Sequence, residues 1–378
     1  MKPPGADFEK ARALFLSPEP PERGAGGGAL RSASLLEYLR KKYSVDLVSF
    51  SLNRHSKNWP ARAWRNFARL ARGVPPLFDR YSGYEKQMER QMRGSYALAV
   101  VEHFWCASYE PILRTRCAHI VLDLHNIESE LAQTHAGAAP WPESWASARF
   151  AEAYRRLERE WLPRFDAVLV ASEEDRSRIR HARIRVYPNA LPAMAAPAVC
   201  PFPEEENCIV FSGNLEYHPN IEAVRWFREK IWPRVREHDP QLEWRLIGRN
   251  PEAVERLVRG DPRIRFTGAV ENAVDQIARA KVCVVPLLSG SGTRFKILEA
   301  WAAGRAVVST TLGAEGLQAS DGQQVAIADS AEKFVESIAR LLADAGMRRS
   351  LGEAGRALYL EKFTWEAAWR NLELEGGL

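Results

Sequence analysis

The stretch 282–317, VCVVPLLSGSGTRFKILEAWAAGRAVVSTTLGAEGL, constrains the fold more than any other part of the chain. It opens on an apolar run without charge, 282–288, the pattern of a strand buried on both faces of a parallel sheet. The run empties into Gly290, Ser291, Gly292 and Thr293, after which apolar residues recur at helical spacing until Gly304 ends them. A second uncharged run, 306–310, reads as the next strand. A strand, a glycine turn and a helix start bring free backbone N–H groups and the positive end of a helix dipole to the carboxyl edge of a sheet, which makes an anion site. Arg294 and Lys296 add two cations in the first turn, and Glu299 a carboxylate one turn further. The segment reads as a cradle for a nucleotide diphosphate, its acid placed to bind sugar hydroxyls.

The rest of the chain repeats this alternation. Strands are expected at 13–16, 45–52, 97–101, 120–124, 167–170 and around Val186, with helices at 29–42, 144–162 and 173–180. A second set follows, with strands at 209–213, 242–248, 264–267, 282–286 and 306–310, and helices at 221–236, 253–259 and 270–280. Between them, 188–203 holds five prolines in sixteen residues, too many for a helix or a central strand. The expected fold class is therefore α/β, with two Rossmann-like, doubly wound parallel-sheet domains facing across a cleft. Residues 1–190 form the first domain, 191–204 a linker, 205–355 the second domain, and 356–378 a C-terminal helix whose Phe363, Trp365, Ala368 and Trp369 turn an apolar surface back to the first. A chain of 378 residues suits two such cores better than one.

Composition excludes several classes. A net charge of +5 on this length suits an anionic ligand or membrane surface, and lacks the dense basic face of a duplex binder. The five cysteines are scattered and never spaced C-x-x-C, which points to a reducing compartment without a zinc site. The amino-terminal apolar run is short and closed by prolines, so neither a signal peptide nor a membrane span is expected there, and a cytoplasmic protein is.

Four further places carry possible chemistry. The turn ERGAGGGALR, with Gly26, Gly27 and Gly28 after the first strand, sits where a phosphate meets helix N–H groups, or is a plain flexible loop. Its spacing is not that of a dinucleotide fingerprint. The strand VLDLHNIE delivers His125, Asn126 and Glu128 at its carboxyl end, where open α/β sheets bind ligands. In FSGNLEYHPN, Gly213 and Asn214 form a strand-end turn whose amides would reach a diphosphate from the other side, while His218 reads as a surface residue. The segment 54–80 has seven Lys or Arg and one acid. Arg62, Arg65, Arg69 and Arg72 oppose Trp64, Phe67 and Ala71, as in a helix lying on an anionic membrane, or in one buried on its aromatic side and solvated on its basic side.

In their order along the chain these features resemble the retaining GT-B glycosyltransferases of family four (glycosyltransferase group 1), especially the bacterial exopolysaccharide branch with D-x-H-N-x-E and G-x-G-T-x-x-K-x-L-E-A motifs. Here the motifs read DLHNIE (123–128) and GSGTRFKILEA (290–300), and ASEEDR, YPNAL, SGNLEYHPN, WRLIG and GAEGL fall in the family's order over nearly the whole chain. The resemblance implies a GT-B fold and transfer of a sugar, with retention at the anomeric carbon, from a nucleotide-diphosphate donor to a glycan or lipid-linked acceptor. The donor would lie in the second domain and the acceptor in the first. By resemblance, Glu299 would hold the nucleotide's ribose, Arg294 and Lys296 would neutralise the departing diphosphate, and His125 would contact the donor sugar. Gly290, Ser291, Gly292, Thr293, Gly213 and Asn214 would line the donor, with Gly268 and Val270 near the base. Asn126 and Glu128 would line the acceptor side of the cleft.

The sequence departs from the family twice. The first glutamate of the donor pair, eight positions before Glu299, is replaced by Ser291, and the cationic pair after the first strand of the second domain gives way to Asn214 and Glu216. The cation role therefore passes to Arg294 and Lys296. No D-x-D motif follows a strand, so no metal and no cofactor is expected, and leaving-group charge must be met by protein cations and helix dipoles. Two other functions share the pattern: a nucleotide-sugar epimerase of the same architecture, and a non-catalytic nucleotide-sugar-binding partner. A nucleic-acid partner is not expected.

Overall fold

The computed structural model describes residues 10–18, 21, 27–50, 52, 58–138, 141–193, 206–290 and 295–378. Of the positions singled out above, Gly26, Ser291, Gly292, Thr293 and Arg294 lie outside the described residues, as does most of the proline-rich linker.

The first domain is a six-stranded sheet of β1 (Arg12–Leu16), β2 (Ser44–Val48), β3 (Tyr96–Glu102), β4 (Cys117–Asp123), β5 (Ala167–Val170) and β6 (Ile184–Val186). Its strands run parallel in the order β2-β1-β3-β4-β5-β6. The second holds β7 (Glu206–Ser212), β8 (Glu243–Ile247), β9 (Ile264–Gly268), β10 (Ala280–Val285), β11 (Ala306–Ser309) and the two-residue β12 (Ala326–Ile327). Their order is β12-β11-β10-β7-β8-β9, again all parallel. The inner strands β3, β5, β10 and β11 are runs rich in Val, Ile, Leu and Ala that are buried on both faces, whereas the edge strands β2 and β9 carry exposed residues.

Each sheet reverses its winding once, between β1 and β3 in the first and between β7 and β10 in the second. Open α/β sheets bind ligands in the crevice outside the strand ends at such a reversal. The order of strands thus selects the loops after β1 and β3, and those after β7 and β10, as the two candidate walls of one site.

Several elements differ from the sequence expectation. The helix expected at 221–236 runs His218–Trp226, passes through a π-turn at Phe227–Ile231 and resumes at Trp232–His238. Pro233, which has no N–H to give the preceding turn, accounts for the wider loop. The helix expected at 270–280 is confined to Ala273–Ile277, so Val270 precedes it in irregular backbone. Helix Trp59–Arg72 turns its aromatic side outward: Trp64 and Phe67 are 69% and 62% exposed, with rings stacked at 5.9 Å. The buried residue of that helix is Arg69, bonded to Asp79 at 2.8 Å, so the reading in which its aromatic side is buried is corrected. No helix among the described residues is long and apolar enough to cross a membrane.

Helix Trp365–Leu374 packs on the first domain, where Trp365, Ala368, Trp369 and Leu372 share a core with β1, β3 and helix Gly27–Lys42. Trp365 Nε1 donates to the Ala190 carbonyl and Trp369 Nε1 to that of Ser34, each at 3.2 Å. An apolar helix face with two satisfied indole donors fixes the C-terminal segment as part of the first domain's wall.

Candidate functional site: two strand-end crevices facing each other

On the first domain the site begins with an ion-pair lattice at the ends of β3 and β4. Asp123, wholly buried, accepts two bonds from Arg31 on helix Gly27–Lys42, from Nη2 at 2.5 Å and Nε at 2.9 Å. Arg31 also donates to the Tyr187 carbonyl at 2.5 Å and to Asn189 Oδ1 at 3.1 Å. His125 Nε2 lies 2.7 Å from Glu102 Oε2 and 3.4 Å from Asp123 Oδ2. Burial alone would favour neutral imidazole, but Glu102 and Asp123 push His125 up to about 9. Burial raises the Glu102 carboxyl against the pull of His125, and Arg31, Asp123, His125 and Glu102 together form a buried charge cluster.

His125 Nδ1 points the other way, 3.4 Å from where a Cβ would stand on Gly28, so the imidazole edge lies in contact with the start of helix Gly27–Lys42. His103, the residue after β3, has a positive φ of 65° and stacks between His125, at 3.7 Å, and Trp105, at 4.2 Å. Burial and the neighbouring His125 cation hold His103 well below the usual imidazole range. Its buried Nδ1 has no hydrogen-bond partner among the described residues. Glu128 turns away from this edge: it is 3% exposed, accepts from Trp105 Nε1 at 2.9 Å, and burial pushes it up to about 8. Asn126 lies at the bend beside His125 and is only partly buried.

On the second domain the ends of β7, β8 and β9 are Gly213, Gly248 and Gly268, joined by backbone bonds from Gly213 N to the Ile247 carbonyl (2.9 Å) and from Gly248 N to that of Gly268 (3.0 Å). A Cβ at Gly248, where φ is 150°, would collide with the Gly213 carbonyl oxygen, so this edge can close up only without side chains. Asn214 continues the turn, its Oδ1 accepting from Asn250 Nδ2 at 3.0 Å and its carbonyl from Asn220 Nδ2 at 2.7 Å.

Helix Phe295–Ala302 then delivers two of the expected groups. Lys296 Nζ donates to Asn220 Oδ1 at 2.7 Å, stands 3.9 Å over the Phe211 ring, and lies 3.5 Å from a Cβ placed on Gly213. Glu299 accepts from Ser212 Oγ at 2.9 Å, and burial raises its carboxyl while Ser212 and Lys296 oppose the shift. Gly290, buried with φ 115°, ends the strand side of this loop. Lys296, Gly213, Asn214, Glu299 and Gly290 therefore converge at the reversal between β7 and β10, whereas Gly268 and Val270 lie two strands away, beyond β8.

The two walls meet. A Cβ at Gly27 would collide with Phe295 Cδ2, so the first turn of the first domain's helix rests against the first residue of helix Phe295–Ala302. His125 and Lys296 accordingly flank one crevice from opposite sheets. Sequence reasoning missed Glu102, Arg31, Asn220 and Ser212. Glu102 could have been found, since it is the first acid after the buried run ALAVV, but the others act through partners far away in the chain.

Residues 206–344 match the family model described as glycosyl transferases group 1. That match falls wholly within the second domain. A curated relative, an uncharacterised 44.6 kDa protein in the cps region of Klebsiella pneumoniae, is 25% identical over 155 residues, 38% of this chain and 40% of that protein. The match thus spans well under half of the curated relative's length. Among solved structures, sucrose-phosphate synthase from Thermosynechococcus elongatus aligns with a TM-score of 0.70 at 19% identity, covering 97% of this chain and 98% of that one. The Anabaena protein HepE in complex with UDP-glucose gives 0.64 at 13% identity, covering 97% and 100%. The UDP-forming α,α-trehalose-phosphate synthase of Burkholderia xenovorans, in complex with glucose-6-phosphate, gives 0.64 at 13%, covering 97% and 99%. These likenesses over both domains establish the GT-B fold.

Proposed function

We propose that this protein is a metal-independent, retaining glycosyltransferase that moves a sugar from a nucleotide-diphosphate donor to a glycan or lipid-linked acceptor in bacterial polysaccharide or glycoconjugate synthesis. The observation that carries the reading is the placement of Lys296 against Gly213 at the reversal of the second sheet, opposite Gly28 and His125 on the first. Charge builds on the diphosphate as the sugar leaves, and a fixed ammonium at the strand ends is organised to meet it before the reaction begins. Arg294 would add a second cation. Glu299, held by Ser212, would take the ribose hydroxyls, and protonated His125 would present its Nδ1 edge to the donor sugar. The UDP-glucose complex of HepE and the UDP-forming synthase support a nucleotide-sugar donor, and the cps-region relative supports polysaccharide synthesis.

The test is a thermal-shift screen across UDP-, GDP- and ADP-sugars, since a ligand bound only by the folded state raises the melting point, followed by transfer assays with the nucleotide sugar that shifts it. Transfer with retained anomeric configuration supports the reading. A new sugar isomer formed from the donor alone would make the protein an epimerase, and binding without transfer to any acceptor would make it a non-catalytic partner.

Peripheral contact with an anionic membrane at the cytoplasmic face is proposed for helix Trp59–Arg72, whose Trp64 and Phe67 are exposed on a helix rich in arginine. Sedimentation with phosphatidylserine vesicles should fall on Trp64→Ala/Phe67→Ala substitution, and equal sedimentation of both forms would remove the proposal.

A further inference from the structure

Away from the crevice, a second place joins the domains. His135, on helix Glu128–Ala138, and His218, at the start of helix His218–Trp226, bring their Nε2 atoms to 3.3 Å with the rings nearly perpendicular, at 86°. Glu143, first residue of the adjoining helix Glu143–Trp161, places Oε1 3.9 Å from His135 Nε2. His218 is thus not a plain surface residue, as its sequence context suggested, but half of a contact between domains.

His135 is hydrogen-bonded on its far nitrogen, and a carboxylate stands near, without bonding to, that of His218. His135 Nδ1 lies 2.7 Å from Ser147 Oγ, one turn beyond Glu143, and His218 Nδ1 lies 3.4 Å from Glu222 Oε1. Metal-bound histidines are held as His135 is, with a hydroxyl or carboxylate fixing the ring and leaving the other nitrogen free to ligate. The spacing agrees. Zinc–nitrogen bonds of about 2.0–2.1 Å at a tetrahedral angle set two ligating nitrogens about 3.3–3.4 Å apart. The side chains of His135, Glu143 and His218 are 25%, 56% and 41% exposed, which leaves an entry path and a carboxylate free to swing inward.

We propose that His135, His218 and Glu143 form an interdomain site for a divalent ion of the zinc type, with solvent as the fourth ligand. The ion would clamp the helical hairpin of the first domain to the second. Glu222, which stands beside His218, accepts from Ser289 Oγ, the residue before Gly290. A metal at this site would therefore steady the donor loop as well as the closed arrangement of domains. The site stands on geometry of its own and does not depend on the glycosyltransferase reading.

The experiment is titration of metal-free full-length protein with Zn²⁺ in competition with a chromogenic chelator, alongside thermal melts. One ion per chain should bind and raise the melting point. His135→Ala and His218→Ala should each abolish that binding, while His238→Ala, at an exposed histidine outside the cluster, should keep it. Glu222→Gln removes the carboxylate charge beside His218 without altering a proposed ligand and should weaken affinity about 10-fold, which keeps the test sound if the histidine variants fail to fold. Wild-type protein that binds no Zn²⁺, or binding equal in wild type, Glu222→Gln and the cluster variants, would reduce the contact to a hydrogen bond between imidazoles and overturn the proposal.

Discussion

His125 Nε2 and Glu102 Oε2 stand 2.7 Å apart with both residues closed off from water, so the imidazole edge that faces the crevice belongs to a cation held in place from behind. Its charge outlasts neutral pH: Glu102 and Asp123 overcome burial and bring His125 to about 9, against 6.5 for a free imidazole. A folded value above the unfolded one means the stabilisation is whole below pH 6.5 and is lost as pH rises through about 9. Urea midpoints measured across that window should fall toward alkaline pH. In Glu102→Gln the His125 titration, followed by NMR, should move down toward neutrality, and the alkaline loss of stability should shrink with it.

Lys296→Ala should lower kcat by about 100- to 1,000-fold, the usual effect of deleting one preorganised group that meets transition-state charge. The donor KM should change less, because the lost interaction is made chiefly to charge that develops in the transition state. Steady-state kinetics with the donor found by thermal shift would decide it, and unchanged turnover would remove Lys296 from the mechanism.

Gly27→Ala places a methyl group against the Phe295 ring across the crevice. Activity should drop with little change in unfolding free energy, since each domain's core is untouched. Phe295→Ala in the same chain should recover part of the loss, and a double-mutant cycle reads the coupling. Additive effects would mean that the two turns do not bear on each other.

Arg31→Met leaves Asp123 buried without its guanidinium. Breaking such a pair from one side costs about 3–5 kcal/mol, and removing the second charge as well with Asp123→Asn should return a large part of that. Chemical denaturation of the two single variants and the double variant measures both quantities.

Much of the fold was legible in the chain because the central strands are short apolar runs buried on both faces. The runs 167–170 and 306–310 mark β5 (Ala167–Val170) and β11 (Ala306–Ser309) to within a residue. Ends of strands could be read too, so His125, Gly213, Gly290, Lys296 and Glu299 were nameable from spacing alone. Helix Trp59–Arg72 was visible as a basic amphipathic segment, yet the side it buries was not. Hydrophobic pattern predicts burial only where a neighbouring element covers the face, and here Arg69 finds Asp79 while Trp64 and Phe67 stay exposed.

By itself the sequence determined most of the segments that become strands and the polar residues that follow them, because these follow from local periodicity and from glycine and proline chemistry; the strand expected at 45–52 stops at Val48, and β12 was not foreseen. Strand order, the facing of the two reversals, the Arg31–Asp123–His125–Glu102 lattice and the meeting of His135 with His218 were decided by tertiary structure alone. Each of them joins residues whose separation along the chain carries no periodic signal. They come together only when two sheets, wound in opposite directions from a central strand, pack their carboxyl edges against each other.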